Sequence, residues 1–137
     1  MSGHPFDTIV YSNIPLGYET PAWRGDLPWP PSNNHYYTVV RGRKILSKAG
    51  REYAEGAVPA CAGQNRPVRP LSGRLRVEVA VCPPDRRRRD LDNLGKPVLD
   101  ALVKGRVIED DGLIDDLRFI RAAVLPGGAV MVKVWTL

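Results

Sequence analysis

Cysteine and histidine are scarce in this chain, and their scarcity removes two kinds of chemistry at the outset. Cys61 and Cys82 are the only cysteines and His4 and His35 the only histidines; no close Cys or His spacing builds a zinc site. The histidines have no partner at a ligand spacing and are assigned no role. Both cysteines read as buried thiols of a reducing compartment. Long apolar runs are also missing: none is long enough to span a bilayer, and the opening residues carry no basic run followed by an apolar stretch. The expected location is the cytoplasm, with no membrane partner.

Positive charge, by contrast, is plentiful. Twenty Lys and Arg against fifteen Asp and Glu give +5 over 137 residues. The excess is uneven, with one base against three acids in residues 1–26 (−2) and 19 bases against 12 acids in residues 27–137 (+7). A body of that sign, with a pI near 9.5, suits a polyanionic partner, because each phosphate neutralised by Lys or Arg releases condensed counterions. The length allows one compact domain with a single core and no room for a second.

Residues 1–26 are rich in Gly, Pro, Tyr and Thr, lack periodicity and read as an extension; residues 27–137 read as the domain. The stretch Leu27-Pro28-Trp29-Pro30-Pro31-Ser32-Asn33-Asn34 is expected to be an extended, turning loop, since each proline fixes its own φ and biases the residue before it away from the helical region. Residues 36–41 and 44–47 flank Gly42 as a hairpin, and Ser47 is placed to cap a helix over residues 48–58 that Gly50 and Gly56 weaken. Leu75, Val77, Val79 and Val81 alternate with Arg74, Arg76, Glu78 and Ala80, a period-two pattern that buries one face of a strand. Leu91, Leu94, Val98, Leu102 and Val103 recur at helical spacing and predict a helix over residues 92–104, with Pro97 expected to distort its first turns. Residues 117–124 and 129–135, joined by Pro126-Gly127-Gly128, read as a closing antiparallel hairpin. Together these elements predict an α+β domain: two helices packed on a small mixed or mostly antiparallel sheet.

The densest chemistry lies in Asp85-Arg86-Arg87-Arg88-Arg89-Asp90-Leu91-Asp92-Asn93-Leu94-Gly95-Lys96. Four adjacent arginines repel one another and persist where solvent or an anion relieves them. In an extended or turning backbone Asp90 and Asp92 share a side, so two carboxylates can converge on one hard cation. Asp92 also suits a helix cap, and Lys96, four residues later, shares its helical face. Asp111, with Asp110 or Glu109 beside it, is the natural further carboxylate, if the fold returns that turn to the start of the helix. Phosphodiester hydrolysis needs such a set: a divalent ion acidifies water, neutralises the non-bridging oxygens and steadies the leaving oxygen, while Lys96 supplies a positive point charge. Each piece also has a plainer reading. Asp-x-Asp at a helix start is a cap paired with arginines, Glu109-Asp110-Asp111-Gly112 is an ordinary turn, and Lys96 and Asp100 are solvated helix surface. Trp29, Tyr36 and Tyr37 either stack on bases or pack under the proline-rich loop.

Three blocks in order, the Leu27 to Asn34 loop with Tyr36-Tyr37, the run from Pro84 to Leu94, and Lys96 with Asp100-Ala101-Leu102 and Asp110-Asp111, resemble the RusA-type Holliday-junction resolvases of bacteria and their phages. The resemblance runs from about Leu27 to the C-terminus. It implies a homodimeric nuclease of DNA recombination and repair that depends on magnesium, with manganese as a substitute, and nicks four-way junctions at two symmetric positions. A two-fold homodimer supplies paired sites for paired cuts. By position it assigns Asp90, Asp92 and Asp111 to the metal and Lys96 to catalysis. Arg86, Arg87, Arg88, Arg89, Arg41, Arg43 and Lys44, with Asn33 and Asn34, are the expected DNA contacts. The competing readings are a non-catalytic basic DNA-binding module and a nuclease acting on flaps, forks or RNA.

Overall fold

The computed structural model describes residues 20–137. Among the described residues, six strands and three α-helices follow one another as β1 (Trp23–Pro28), α1 (Asn33–Tyr36), β2 (Tyr37–Val40), β3 (Arg43–Leu46), α2 (Lys48–Gly63), β4 (Leu75–Cys82), a 3₁₀ turn (Leu91–Leu94), α3 (Gly95–Lys104), a second 3₁₀ turn (Asp111–Leu113), β5 (Ile114–Arg121) and β6 (Ala129–Thr136). The main sheet has the order β1-β6-β4-β5. β6 runs antiparallel to both β1 and β4, whereas β5 lies parallel to β4. A parallel pair needs a crossover, and α3 provides it. The sheet is therefore mixed, as the pattern of elements predicts, and β2 and β3 form a separate hairpin.

The core lies between one face of the sheet and the two long helices. Leu75, Val77, Val79 and Val81 of β4 and Val130, Val132 and Val134 of β6 meet Tyr53, Ala57 and Cys61 of α2 and Val98, Ala101 and Leu102 of α3. Trp23 and Leu27 of β1 join the same core, so the boundary drawn at residue 26 falls inside β1. The rest of the expected extension, residues 1–19, lies outside the described residues. Gln64, just past α2, fastens β1 to that helix. Its side chain accepts from Asp26 N and donates to Asp26 O, both at 2.7 Å, while its own carbonyl accepts from Trp23 Nε1 at 2.8 Å.

Four local expectations change. The helix expected to stop at residue 58 continues through Pro59 to Gly63, because Tyr53, Ala57 and Cys61 carry a buried stripe at four-residue steps beyond the proline; Ser47 caps it as anticipated, its Oγ accepting from Gly50 N at 3.0 Å. The alternation in β4 does not bury one face alone. Arg76 and Glu78 are 1% and 8% exposed, and the Arg76 guanidinium lies 4.8 Å over the Trp135 ring and 3.7 Å from the Asp116 carboxylate.

The predicted closing hairpin does not form, because β4 separates β5 from β6. Their connection instead bonds to the chain leaving β4, Ala122 N donating to Val81 O at 2.8 Å and Leu125 N to Pro83 O at 2.9 Å. Finally, the helix predicted over residues 92–104 opens as a 3₁₀ turn and becomes α-helical only at Gly95. Pro97 thus sits in the first α-helical turn, where a backbone donor has no intrahelical partner, and Asp92 lies inside the 3₁₀ turn rather than capping the helix.

Candidate active site

The proline-rich loop ends in α1, and Asn33 at its start joins two distant segments. Its Nδ2 donates to Asp92 O at 3.2 Å and its Oδ1 accepts from Lys96 N at 3.1 Å. This side chain spans the junction between the 3₁₀ turn and α3, doing for the helix start what Asp92 was expected to do. Its amide is used within the protein, while Asn34 is exposed.

Asp90 has extended backbone (φ −92, ψ 128) and makes no side-chain cap bond. Leu91 packs against the core while Asp90 and Asp92, on either side of it, are exposed. The arginine run divides in two. Arg86, Arg87 and Arg88 are exposed, whereas Arg89 turns back to Asp85, Nη1 to Oδ1 at 2.8 Å, with its guanidinium 5.5 Å over the Trp29 ring. Asp85 also accepts from Arg87 N at 2.9 Å; these partners, Arg89 first, hold its carboxyl below the usual range. A cleft of about 650 Å³ opens between loop and run, lined among others by Trp29, His35, Arg88, Arg89, Asp90 and Asn93. Arg41, Arg43 and Lys44 lie apart from it, exposed on the β2–β3 hairpin, with Lys44 Nζ 4.3 Å over the Tyr37 ring.

At the other end of α3 the chain returns. Gly105 N closes the helix on Ala101 O, and residues 106–110 lead to the second 3₁₀ turn at Asp111. This places Asp111 Oδ2 3.4 Å from Lys96 Nζ. Lys96 also pairs with Asp100 Oδ1 at 3.1 Å, and that bond, ahead of the opposing effect of burial, raises its pKa. Lys96 is thus an ammonium throughout the neutral range. Asp100 Oδ2 accepts in turn from Tyr36 OH at 2.9 Å. Burial first, and then this bond, push the Tyr36 hydroxyl well above the ordinary tyrosine range.

The fold therefore brings together Lys96 and Asp111, fifteen residues apart, and sets Asp90 and Asp92 in the turn that leads into Lys96's helix. Among the described residues, no three His, Cys, Asp or Glu side chains are gathered closely enough to hold a metal ion by themselves. The donors at hand are exposed or partly exposed carboxylate oxygens. Carboxylate oxygens are the donor type of a hard divalent cation, which keeps several waters and takes substrate phosphate oxygens as further ligands.

Asp100 and Tyr36 are the members of the cluster that sequence reasoning missed. For Asp100 the signal was available, since it stands four residues after Lys96 on the same helical face. Tyr36 stood in the blocks that carry the resemblance and had a packing reading, but its bond to Asp100, 64 residues away, required the fold.

The α+β domain carries acidic side chains and a lysine near a cleft lined by arginines, and by sequence it belongs with DNA-cutting enzymes. The chain belongs to the RusA family: the family model described as Endodeoxyribonuclease RusA matches residues 28–134. Its relatives include the crossover junction endodeoxyribonuclease of Enterobacteria phage 82, 40% identical over 102 residues that cover 74% of this chain and 84% of the relative. The proteins of that name from Escherichia coli strain K12 and Shigella sonnei strain Ss046 are each 39% identical over the same coverage.

Proposed function

We propose that this protein is a crossover junction endodeoxyribonuclease that resolves four-way DNA junctions by paired symmetric nicks, acting as a cytoplasmic homodimer whose nuclease domain, drawn from the sequence as residues 27–137, also takes in the whole of β1. The observation that carries the reading is the pairing of Lys96 with Asp111 at 3.4 Å, which joins the acidic turn to the helix that Asp90 and Asp92 precede. Asp90, Asp92 and Asp111 would hold magnesium, with manganese as a substitute. Bound there, a divalent ion supplies Lewis acidity toward a phosphodiester and lowers the pKa of water.

The protein's own groups do the rest. Arg88 in the cleft, with Arg86 and Arg87 in the depression beside it, neutralises backbone phosphates and draws the strand toward the acidic turn. Arg89, held by Asp85 and lying over Trp29, presents a fixed guanidinium beside Asp90. Lys96, kept charged, faces the scissile phosphate as a point charge and stabilises the negative charge that builds in the transition state. Two such sites in a two-fold dimer cut two strands of like polarity.

Labelled four-way, forked and linear duplexes, incubated with magnesium or with EDTA, test the proposal. The expected result is paired nicking of the four-way junction in magnesium alone. Asp92→Asn is expected to bind the junction within about threefold of wild type and to lose at least 100-fold in nicking, since binding rests on phosphate neutralisation and cleavage on the ion. Binding without magnesium-dependent cutting by wild type would assign a non-catalytic DNA-binding role; preferential cutting of forks would change the substrate.

A further inference from the structure

Asp100 has no part in the chemistry set out above, yet it is the carboxylate nearest the Lys96 ammonium, at 3.1 Å against 3.4 Å for Asp111. Its direction is fixed from the protein interior. Its other oxygen takes the Tyr36 hydroxyl at 2.9 Å, and Tyr36 is 1% exposed. The backbone of Tyr36 is itself held, its carbonyl accepting from Ser47 N at 3.0 Å and from Ser47 Oγ at 3.1 Å. The Asp100 side chain is 20% exposed, so it is no loose partner in a solvated surface pair.

An ammonium and a divalent ion compete for the same carboxylate. If Lys96 settles on Asp111, it neutralises the charge that the ion needs and turns away from the phosphate. A second anion on the far side of the ammonium divides its attraction. We infer that Asp100, oriented by Tyr36, is a positioning residue that draws the Lys96 ammonium toward itself and loosens its 3.4 Å pairing with Asp111, leaving Asp111 more open to the divalent ion. This inference rests on the reading of Asp111 as a metal ligand and Lys96 as the phosphate-facing cation.

Manganese binding to the full chain without DNA, followed by calorimetry, tests it in four proteins: wild type, Asp100→Asn, Lys96→Met and the double variant. Asp100→Asn is expected to weaken manganese binding by about fivefold to tenfold when Lys96 is present and to have no effect when it is methionine, a coupling of the size seen between contacting charges. Asp100→Glu restores part of the loss, and Tyr36→Phe gives a smaller shift of the same sign. Equal weakening in both lysine backgrounds, or none in either, overturns the inference. Should Asp100→Asn fail to fold, Tyr36→Phe decides the matter, and unchanged manganese binding in that variant is the overturning result. Wild-type protein that neither binds manganese nor nicks junctions overturns the proposed function and this inference with it; wild type that does both, with Asp100→Asn unaltered, overturns the inference alone.

Discussion

Among single residues, Asp85 shows how a charge run can be ordered without a ligand. It has no proposed contact with DNA, but its carboxylate holds Arg89 over Trp29 and caps the turn through Arg87 N. Its folded pKa is depressed, so whatever stability it contributes is present above the unfolded value and is lost as the pH falls through the folded one. NMR titration of the side-chain carboxyls is expected to find Asp85 ionised to lower pH than an ordinary aspartate, and Arg89→Ala to return it toward the usual range. A titration unchanged by that substitution would remove Arg89 as the cause. The sequence showed the arginine run but not this division, because which of four identical neighbours turns back depends on Trp29, which lies 60 residues earlier in the chain.

The elements differ in how much of them was legible. Local signals served where the partner was local, at Ser47 before α2 and Gly42 in the β2–β3 hairpin; the valine alternation located β4 but not the burial of its other face. They failed where a third segment intervened. Pro126-Gly127-Gly128 between two apolar stretches imitates a hairpin turn, yet its loop bonds to the exit of β4 and carries the chain across it. Pro97 posed a conflict only while the helix was taken to begin at Asp92. The glycines of α2 were read alike as weaknesses, and the structure separates them. A Cβ at Gly56 would meet only Pro28 Cγ, at 3.9 Å, whereas one at Gly50 would lie 2.4 Å from the backbone oxygen of Tyr36. Gly56→Ala is therefore expected to stabilise the protein by about 0.5–1 kcal/mol. Gly50→Ala is expected to destabilise it by about 1–3 kcal/mol despite alanine's helix propensity. Urea unfolding of the two variants checks both signs.

For the whole molecule, the candidate site is a meeting of four chain regions: α1, the turn before α3, α3 itself and the turn before β5. The carboxylates, the lysine and the arginines were visible as residue types at suggestive spacings, and the return of Asp111 to Lys96 required the fold. Of the arginine run, Arg88 and Arg89 line the cleft, and Arg86 and Arg87 line a neighbouring depression together with them and Arg121. Replacing Arg86 and Arg87 by alanine is expected to weaken junction binding and to reduce the slope of log K against log salt by about 2, one for each phosphate no longer neutralised. An unchanged slope would place those side chains away from the backbone of the DNA.

The position of β6 bears on how the protein is made. A ribosome adds residues from the N-terminus at about 5–20 per second, yet the strand translated last of the six lies between β1 and β4. Until residues 129–136 have been synthesised, β1 has no strand partner, and β4, once β5 is made, is paired along one side only. The nascent polypeptide must carry these two open edges until β6 emerges, which makes it a natural client for a holding chaperone and leaves a fragment ending at residue 128 without the strand that joins its two halves.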